Sequence, residues 1–254
     1  MKIRINGIDC EAQPGEFILD VARRNNIYIP TLCHHDAFAG EARCRLCIVE
    51  VVERGRSRVV TSCVYPVAGE IEVATDTEKI RSLRKTLLML LLARTPQNET
   101  IKKLAREYGV TEVARFESDP QEECILCNLC VRACEQLGAG AIYAVNRGVT
   151  KKVATLFEEP AEECIGCAAC AAICPTGAIK VLEKEGKRII WNREFEMVPC
   201  SNCGRPFATA EQLAFYRARL KVAPDRYGGD RLCENCRQKR AAELASLMSP
   251  ARLR

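Results

Sequence analysis

Eight cysteines between Cys124 and Cys174 constrain this chain more than any other feature. They read Cys124-x2-Cys127-x2-Cys130-x3-Cys134 and Cys164-x2-Cys167-x2-Cys170-x3-Cys174-Pro175. The second run follows the first at an offset of 40 residues, and Pro120/Pro160 and Glu122-Glu123/Glu162-Glu163 repeat at the same offset. Runs with this spacing hold [4Fe–4S] clusters, and where two occur the fourth cysteine of each ligates the other cluster. The expected quartets are therefore Cys124, Cys127 and Cys130 with Cys174, and Cys164, Cys167 and Cys170 with Cys134. Two-residue gaps let a tight loop aim three thiolates at one cluster, while the short helix that follows carries the fourth away. Isolated Cys-x-x-Cys pairs also serve zinc and redox chemistry; two matched quartets at a fixed offset weigh against that.

Seventeen of the 254 residues are cysteine. The opening MKIRINGIDCE has no signal-peptide pattern, so a disulfide framework is not expected and the expected setting is cytoplasmic. Several small modules, each held by its metal centre, fit such a chain better than one large core. The longest cysteine-free apolar run, Leu87 to Ala93, is seven residues, far short of the roughly 20 that cross a bilayer, so direct membrane insertion is not expected. The net charge is +5, with Arg217, Arg219, Lys221, Arg237, Lys239, Arg240, Arg252 and Arg254 gathered toward the C-terminus. No stacking platform or nucleic-acid motif accompanies them, so they read as a solvated or protein-docking face rather than a nucleic-acid site.

From the start, Ile3, Ile5 and Ile8 alternate around Asn6-Gly7, which predicts a hairpin. Ile18, Val21 and Ala22 have helical spacing. Ile48 to Val52 and Arg58 to Ser62 read as a β-pair across Arg54-Gly55, and Ile71 to Ala74 as a last strand. This predicts a small α+β unit. It carries its own quartet, Cys33-x10-Cys44-x2-Cys47-x15-Cys63. Four such thiolates suit a [2Fe–2S] centre, although the first gap is longer than in the plant-type C-x4-C-x2-C pattern; on spacing alone structural zinc stays open. Two helices are then predicted, one with Ile80, Leu83, Leu87, Leu90 and Leu91 on a face and Thr75-x-x-Glu78 as a capping box, the other with Ile101, Leu104, Ala105 and Tyr108. They read as a rigid spacer.

The tail carries Cys200-x2-Cys203 and Cys233-x2-Cys236, with an insert that has room for a helix from Glu211 to Leu220. Two such knuckles make a four-cysteine metal ribbon, with zinc favoured over a single rubredoxin-like iron. Cys10 is left over and is assigned no role beyond packing. His34 and His35 are expected to be loop residues beside a completed Cys quartet. Arg43 and Arg45 flank Cys44, where they either raise the reduction potential of a cluster or solvate the surface.

The segment GEFILDVARRNNIYIPTLCHH, followed by CRLCIVEV, resembles the N-terminal domain of the large iron–sulfur subunit of respiratory complex I. It is also similar to diaphorase subunits of NAD-reducing hydrogenases and to iron-only hydrogenases. The resemblance implies a β-grasp fold with [2Fe–2S] on Cys33, Cys44, Cys47 and Cys63. It resumes at KKLAREYGV and runs through CILCNLCVRACEQLGAGAIYAVNRG and CIGCAACAAICPTGAI, to about residue 182 in all. Relatives of this kind insert a [4Fe–4S] site held by one His and three Cys after the first spacer helix. Here no Cys or His lies between Cys63 and Cys124. The stretch CSNCGRPFAT is weakly similar to tails of some hydrogenase ferredoxin subunits.

The expected architecture is α+β: a β-grasp [2Fe–2S] domain over 1–76, a helical spacer over 77–117, a bacterial-type 2[4Fe–4S] ferredoxin domain over 118–185, and a four-cysteine ribbon with a basic tail over 186–254. No G-x-G-x-x-G nucleotide loop or nucleophile–base pair stands out. The expected function is a non-catalytic relay, with one [2Fe–2S], two [4Fe–4S] and one zinc or mononuclear iron. The resemblance implies a flavoprotein NAD(P)H dehydrogenase partner near the [2Fe–2S] end; at the other end a catalytic oxidoreductase is expected, a hydrogenase, formate dehydrogenase or other reductase. The competing readings are a free multi-cluster ferredoxin carrier, which should be smaller and acidic, and a redox-sensing regulator, for which no DNA-binding element is apparent.

Overall fold

The structure is a computed structural model that describes residues 1–113, 119–219 and 231–247. Lys221, Arg252 and Arg254 of the basic tail, Leu220 at the end of the insert helix, and the junction expected at 117–118 lie outside the described residues. The chain forms two compact units. One comprises Met1–Arg132, Asn146–Val153 and Ile173–Ala178; the other comprises Ala133–Val145, Ala154–Ala172 and Ile179–Arg254.

The first unit opens with β1 (Lys2–Ile5) and β2 (Ile8–Glu11), followed by α1 (Ile18–Arg24), β3 (Ile48–Glu53), β4 (Arg56–Thr61) and β5 (Glu72–Ala74). Asn6 and Gly7 have φ of 51° and 82°, and Arg54 and Gly55 have 49° and 75°. Paired positive φ values make the tight turns whose twist matches a hairpin, which is why Asn-Gly and Arg-Gly stand there. The five strands order as β2-β1-β5-β3-β4. β1 and β5 run parallel, and the other neighbours are antiparallel. Ile18, Leu19, Val21 and Ala22 of α1 are fully buried against Ile3, Ile5, Val49, Val51 and Val73. Each large aliphatic side chain so buried contributes about 1.5–3 kcal/mol. A mixed sheet grasping one helix is the β-grasp arrangement expected. Cys10 is buried in this core and burial pushes its thiol up, as a small apolar side chain would have it.

Two helices follow, α2 (Glu78–Arg94) and α3 (Glu99–Glu107). The face of α2 differs from the expected one: Ile80, Arg84, Leu88 and Leu92 are buried, while Leu83 and Leu90 are exposed. The leucines are so dense that more than one stripe is apolar, and the buried stripe includes a charge that hydropathy alone assigns to solvent. The capping box is also not formed. Thr77 caps α2 by accepting from Ile80 N at 3.2 Å, and Thr75 instead exchanges hydrogen bonds with Asn6 at 2.7 and 2.8 Å. These helices share one core: Leu88, Leu92, Ile101, Leu104 and Ala105 are buried together with Cys33, Cys44, Leu46, Ile125, Cys127 and Leu129.

Helix α4 (Leu129–Leu137) contains the junction between the units. Beyond it come β6 (Tyr143–Val145), β7 (Lys152–Ala154) and α5 (Ala169–Ala172), then β8 (Leu182–Lys184), β9 (Lys187–Ile190), β10 (Arg193–Pro199) and β11 (Pro206–Thr209). The last four form an antiparallel sheet in the order β11-β10-β9-β8. Helix α6 (Ala210–Arg219) fills the insert where a helix was expected, and α7 (Glu234–Leu247) begins within the last cysteine knuckle.

Candidate metal centres

All seventeen cysteines are free thiols, and sixteen of them fall in the four quartets. Cys33, Cys44, Cys47 and Cys63 are all buried, in two pairs: Cys33 Sγ is 3.3 Å from Cys44 Sγ, and Cys47 Sγ is 3.4 Å from Cys63 Sγ. The loop that brings them together needs unusual backbone. Ala42 and Arg45 have φ of 53° and 60°, which turns successive N–H groups inward, and Cys44 N donates to Cys33 Sγ at 3.3 Å. Gly40 passes so close to Cys63 that a Cβ there would stand 2.1 Å from the Cys63 carbonyl oxygen. The hydrogen bond shared with Cys33 lowers the Cys44 thiol to about 7, and the one shared with Cys63 does the same to Cys47. Two pairs of thiols, one of each poised to ionise, fit a [2Fe–2S] group, which takes two thiolates on each iron.

The environment of this loop contained residues that sequence reasoning missed. Arg84 is only 2% exposed, and it donates from Nε to the Leu46 carbonyl at 3.0 Å and from Nη2 to the Ile48 carbonyl at 2.8 Å. Those carbonyls bracket Cys47. Arg132 donates to the Ala39 carbonyl at 2.7 Å and lies over Phe38, which fastens the helix of Cys130 to the loop before Cys44. His34, expected as a plain loop residue, has a side chain 7% exposed with neither ring nitrogen hydrogen-bonded; burial holds its pKa below the usual histidine range. Arg43 and Arg45 are exposed, and Arg43 pairs with Glu41, so the plainer of their two roles fits.

The 40-residue repeat is present in the backbone itself. Leu126 and Asn128 in the first run have positive φ, as do Gly166 and Ala168 in the second. In consequence the Leu126 amide donates to Cys124 Sγ at 3.4 Å, and the Gly166, Leu129 and Ala169 amides lie near enough to Cys164, Cys127 and Cys167 to favour their thiolates. Amides aimed at sulfur stabilise thiolate, which fits a cluster ligand. An arginine holds the first cysteine's carbonyl in each run: Arg94 Nε donates to Cys124 O at 2.7 Å, and Arg193 Nη1 to Cys164 O at 2.9 Å. The compact units place Cys174 with Cys124, Cys127 and Cys130, and Cys134 with Cys164, Cys167 and Cys170. Cys134 lines one enclosed cavity with the latter three, and Cys174 is close enough to Cys124 and Cys127 for its charge to act on both. Burial pushes the Cys127 and Cys170 thiols up to about 11, the cost a bound cation would offset.

Gly166 carries a first test. Its φ is 65°, and a Cβ would stand 2.6 Å from Phe195 Cγ and 2.9 Å from Thr209 Cγ2. Gly166→Ala is expected to cost about 2 kcal/mol or more through overpacking and a strained left-handed residue. Thermal melting, with iron content alongside, measures it; a melt unchanged from the parent protein contradicts the close packing.

Where relatives of the kind described above hold an extra cluster, this chain has Thr95-Pro96-Gln97-Asn98. Asn98 caps α3 by accepting from Ile101 N at 3.3 Å, and its amide donates to the Thr176 carbonyl at 2.8 Å. The residue that ends the α2–α3 joint thereby holds the loop that carries Cys174.

The tail quartet is different in kind. Cys200 follows β10 and Cys203 sits in the turn before β11, while Cys233 immediately precedes α7 and Cys236 lies in its first turn. Their four Sγ atoms lie within 4.8 Å of one another, close enough for one ion. Cys233 N donates to Cys200 Sγ at 3.3 Å and, with neighbouring amides, lowers the Cys200 thiol to about 6. Asn202 Nδ2 donates to Cys236 Sγ at 3.3 Å. Such a set of sulfurs fits zinc or a single iron. Arg219 of the basic tail is engaged at the Leu137 carbonyl and over Phe215, and Arg237 at the Leu232 carbonyl.

Comparison with known proteins defines the class. Residues 1–78 match the 2Fe-2S iron-sulfur cluster binding domain family, and residues 120–181 match the 4Fe-4S dicluster domain family. The chain thus carries an N-terminal [2Fe–2S] domain and a [4Fe–4S] dicluster domain. It is similar to the NADP-reducing hydrogenase subunit HndD of Solidesulfovibrio fructosivorans, 31% identical over 210 residues, or 70% of this chain and 36% of that one. It is also 30% identical over 232 residues to an NADH-quinone oxidoreductase subunit of Rhizobium meliloti (strain 1021), covering 80% of this chain and 27% of the relative. Among solved structures, the crystal structure of an NAD+-reducing [NiFe]-hydrogenase in the H2-reduced state aligns with a TM-score of 0.53 and 26% identity, over 61% of this chain and 74% of that one. The chain resembles the iron–sulfur subunits of complex I and of NAD(P)-linked hydrogenases. It spans about a quarter to a third of the length of the curated relatives it matches. No described helix is long and apolar enough to cross a membrane.

Proposed function

We propose that this chain is an electron-transfer subunit that relays electrons between a flavoprotein NAD(P)H dehydrogenase subunit and a catalytic oxidoreductase subunit. The observation that carries the reading is one apolar core: Cys33 of the first quartet and Cys127 of the second lie in it together, close enough for the charge of one to act on the other. A [2Fe–2S] group on Cys33, Cys44, Cys47 and Cys63 and a [4Fe–4S] group on Cys124, Cys127, Cys130 and Cys174 then share a wall of buried side chains, with no cluster needed at the α2–α3 joint. Cys134, Cys164, Cys167 and Cys170 hold the second [4Fe–4S] group. Zinc, in preference to iron, sits on Cys200, Cys203, Cys233 and Cys236. Bound clusters of these types supply one-electron transfer. The chain's own residues supply thiolates, amides aimed at sulfur, and the apolar walls that exclude water. The relatives named above are subunits of NADH- or NADP-linked oxidoreductases, which supports partners of that class. The domain limits proposed are 1–76, 77–117, 118–185 and 186–254.

Metal analysis with activity assays tests this. Anaerobically purified protein should hold about ten iron atoms per chain and one zinc. Dithionite should reduce it and an artificial acceptor reoxidise it, whereas NAD(P)H should do nothing until a flavoprotein partner is added. Near six iron removes one [4Fe–4S] cluster, and NAD(P)H oxidation by the pure chain ends the relay reading. Free reduction by many enzymes, with no partner ever copurifying, favours a diffusing carrier.

A further inference from the structure

The hairpin of β9 and β10 lies just beyond the second cysteine run. Its turn is Trp191-Asn192, with φ of 51° and 58°, and Trp191 is the single tryptophan of the chain. That conformation is uncommon for a bulky residue, and the surrounding structure must hold it. The indole helps to wall the enclosed cavity formed by Cys134, Cys164, Cys167 and Cys170. Its Nε1 is buried with no hydrogen-bond partner, and an indole N–H left so costs about 1–3 kcal/mol unless something accepts from it.

Several contacts of the hairpin serve the same loop. Arg193 Nη1 donates to the carbonyls of Ala161, Glu162 and Cys164 at 2.8, 2.7 and 2.9 Å. Arg188, 8% exposed, donates to the Gly166 carbonyl at 2.7 Å, and Phe195 lies against Gly166. The first run has the arginine on its leading carbonyl but, with one tryptophan in the chain, no indole.

We propose that the β9–β10 hairpin caps the cluster held by Cys134, Cys164, Cys167 and Cys170, and that the Trp191 indole N–H is the donor to a sulfur of this cluster that sets its potential above that of its twin. The inference rests on the assignment of that quartet to a [4Fe–4S] cluster. The physical reason is charge: a donor aimed at sulfur favours the reduced form, which carries one more negative charge. Trp191 is a positioning and tuning residue rather than a ligand.

The test uses the full iron-loaded chain under reducing, anaerobic conditions. In an EPR-monitored redox titration, Trp191→Phe keeps the aromatic packing and removes only the N–H. One [4Fe–4S] potential should fall by about tenfold in its reduction equilibrium, which for one electron is about 59 mV, with the other unchanged. A second measurement needs no variant. With nitrogen-15 in the indole of the single tryptophan, electron–nuclear double resonance should show coupling on one of the two cluster signals. Full iron content with unchanged potentials, or with no indole coupling on either signal, overturns the cap as a donor and leaves the relay standing. A wild-type chain short by about four iron atoms, with only the signal lost in Cys174→Ser remaining, overturns the quartet assignment and this inference with it.

Discussion

Cys134→Ser should destroy the cluster assigned to the other cysteine run and spare the one formed by its own sequence neighbours. Cys134 belongs to the compact unit of Cys164, Cys167 and Cys170 and lines their cavity, while Cys174 belongs with Cys124, Cys127 and Cys130. The cause is helical. α4 begins with Cys130 near its start and delivers Cys134 one turn further on, where the Ala141 amide donates to its sulfur at 3.2 Å. Serine keeps the size of the side chain but is a poor ligand for iron, so one cluster, about four iron atoms, should be lost or strongly altered in each variant. EPR of Cys134→Ser and Cys174→Ser distinguishes the two cluster signals. Both variants should damage the cluster opposite to the run that was mutated. Damage confined to the mutated run sinks the crossed assignment, and no damage in either sinks the ligation itself.

Arg84→Leu is expected to have the next largest effect, on stability and on the [2Fe–2S] centre together. The guanidinium is buried, with Nε and Nη2 on the carbonyls either side of Cys47, Nη1 3.3 Å from the Tyr108 hydroxyl, and Asp76 at 3.7 Å. Leucine removes the charge and leaves two buried carbonyls with no donor. Each such group costs about 1–3 kcal/mol, so a loss of roughly 3–5 kcal/mol follows, comparable to breaking a buried ion pair. Arg84→Lys keeps the charge but cannot span both carbonyls with a planar fork, so it should recover only part of the loss. Denaturant unfolding together with the visible absorption of the [2Fe–2S] centre reads both effects. A loss below about 1 kcal/mol, or an intact [2Fe–2S] spectrum in the leucine variant, would show that the loop around Cys47 holds itself.

Much of the site was legible from the chain alone because thiolate ligation is a short-range pattern. Cys-x-x-Cys gaps force tight loops, the Asn6-Gly7 and Arg54-Gly55 pairs force tight turns, and alternation at Ile3 and Ile5 exposes one strand face and buries the other. Even the 40-residue repeat carries through to matched left-handed residues, Leu126 with Gly166 and Asn128 with Ala168. These features depend on neighbours a few residues apart, and neighbours are what a sequence prints.

What only the tertiary structure decided lies in contacts between residues far apart in the chain. Arg84 reaches carbonyls 36 and 38 residues away, and Arg193 reaches one 29 residues away. Hydropathy places an arginine in water because it cannot see which carbonyls await it, and for the same reason it put Leu83 and Leu90 rather than Arg84, Leu88 and Leu92 on the buried face of α2, while Ile80, Leu87 and Leu91 do pack inward. The role of Trp191 likewise depends on a hairpin folding back on a loop that has already ended. By itself the sequence determined the cysteine spacings, a small α+β unit at the N-terminus and the 40-residue repeat, since each is written in local spacing, while the β-grasp reading came from the family resemblance. The tertiary structure determined which buried charges and amides surround each quartet, since those partners meet only when distant segments pack.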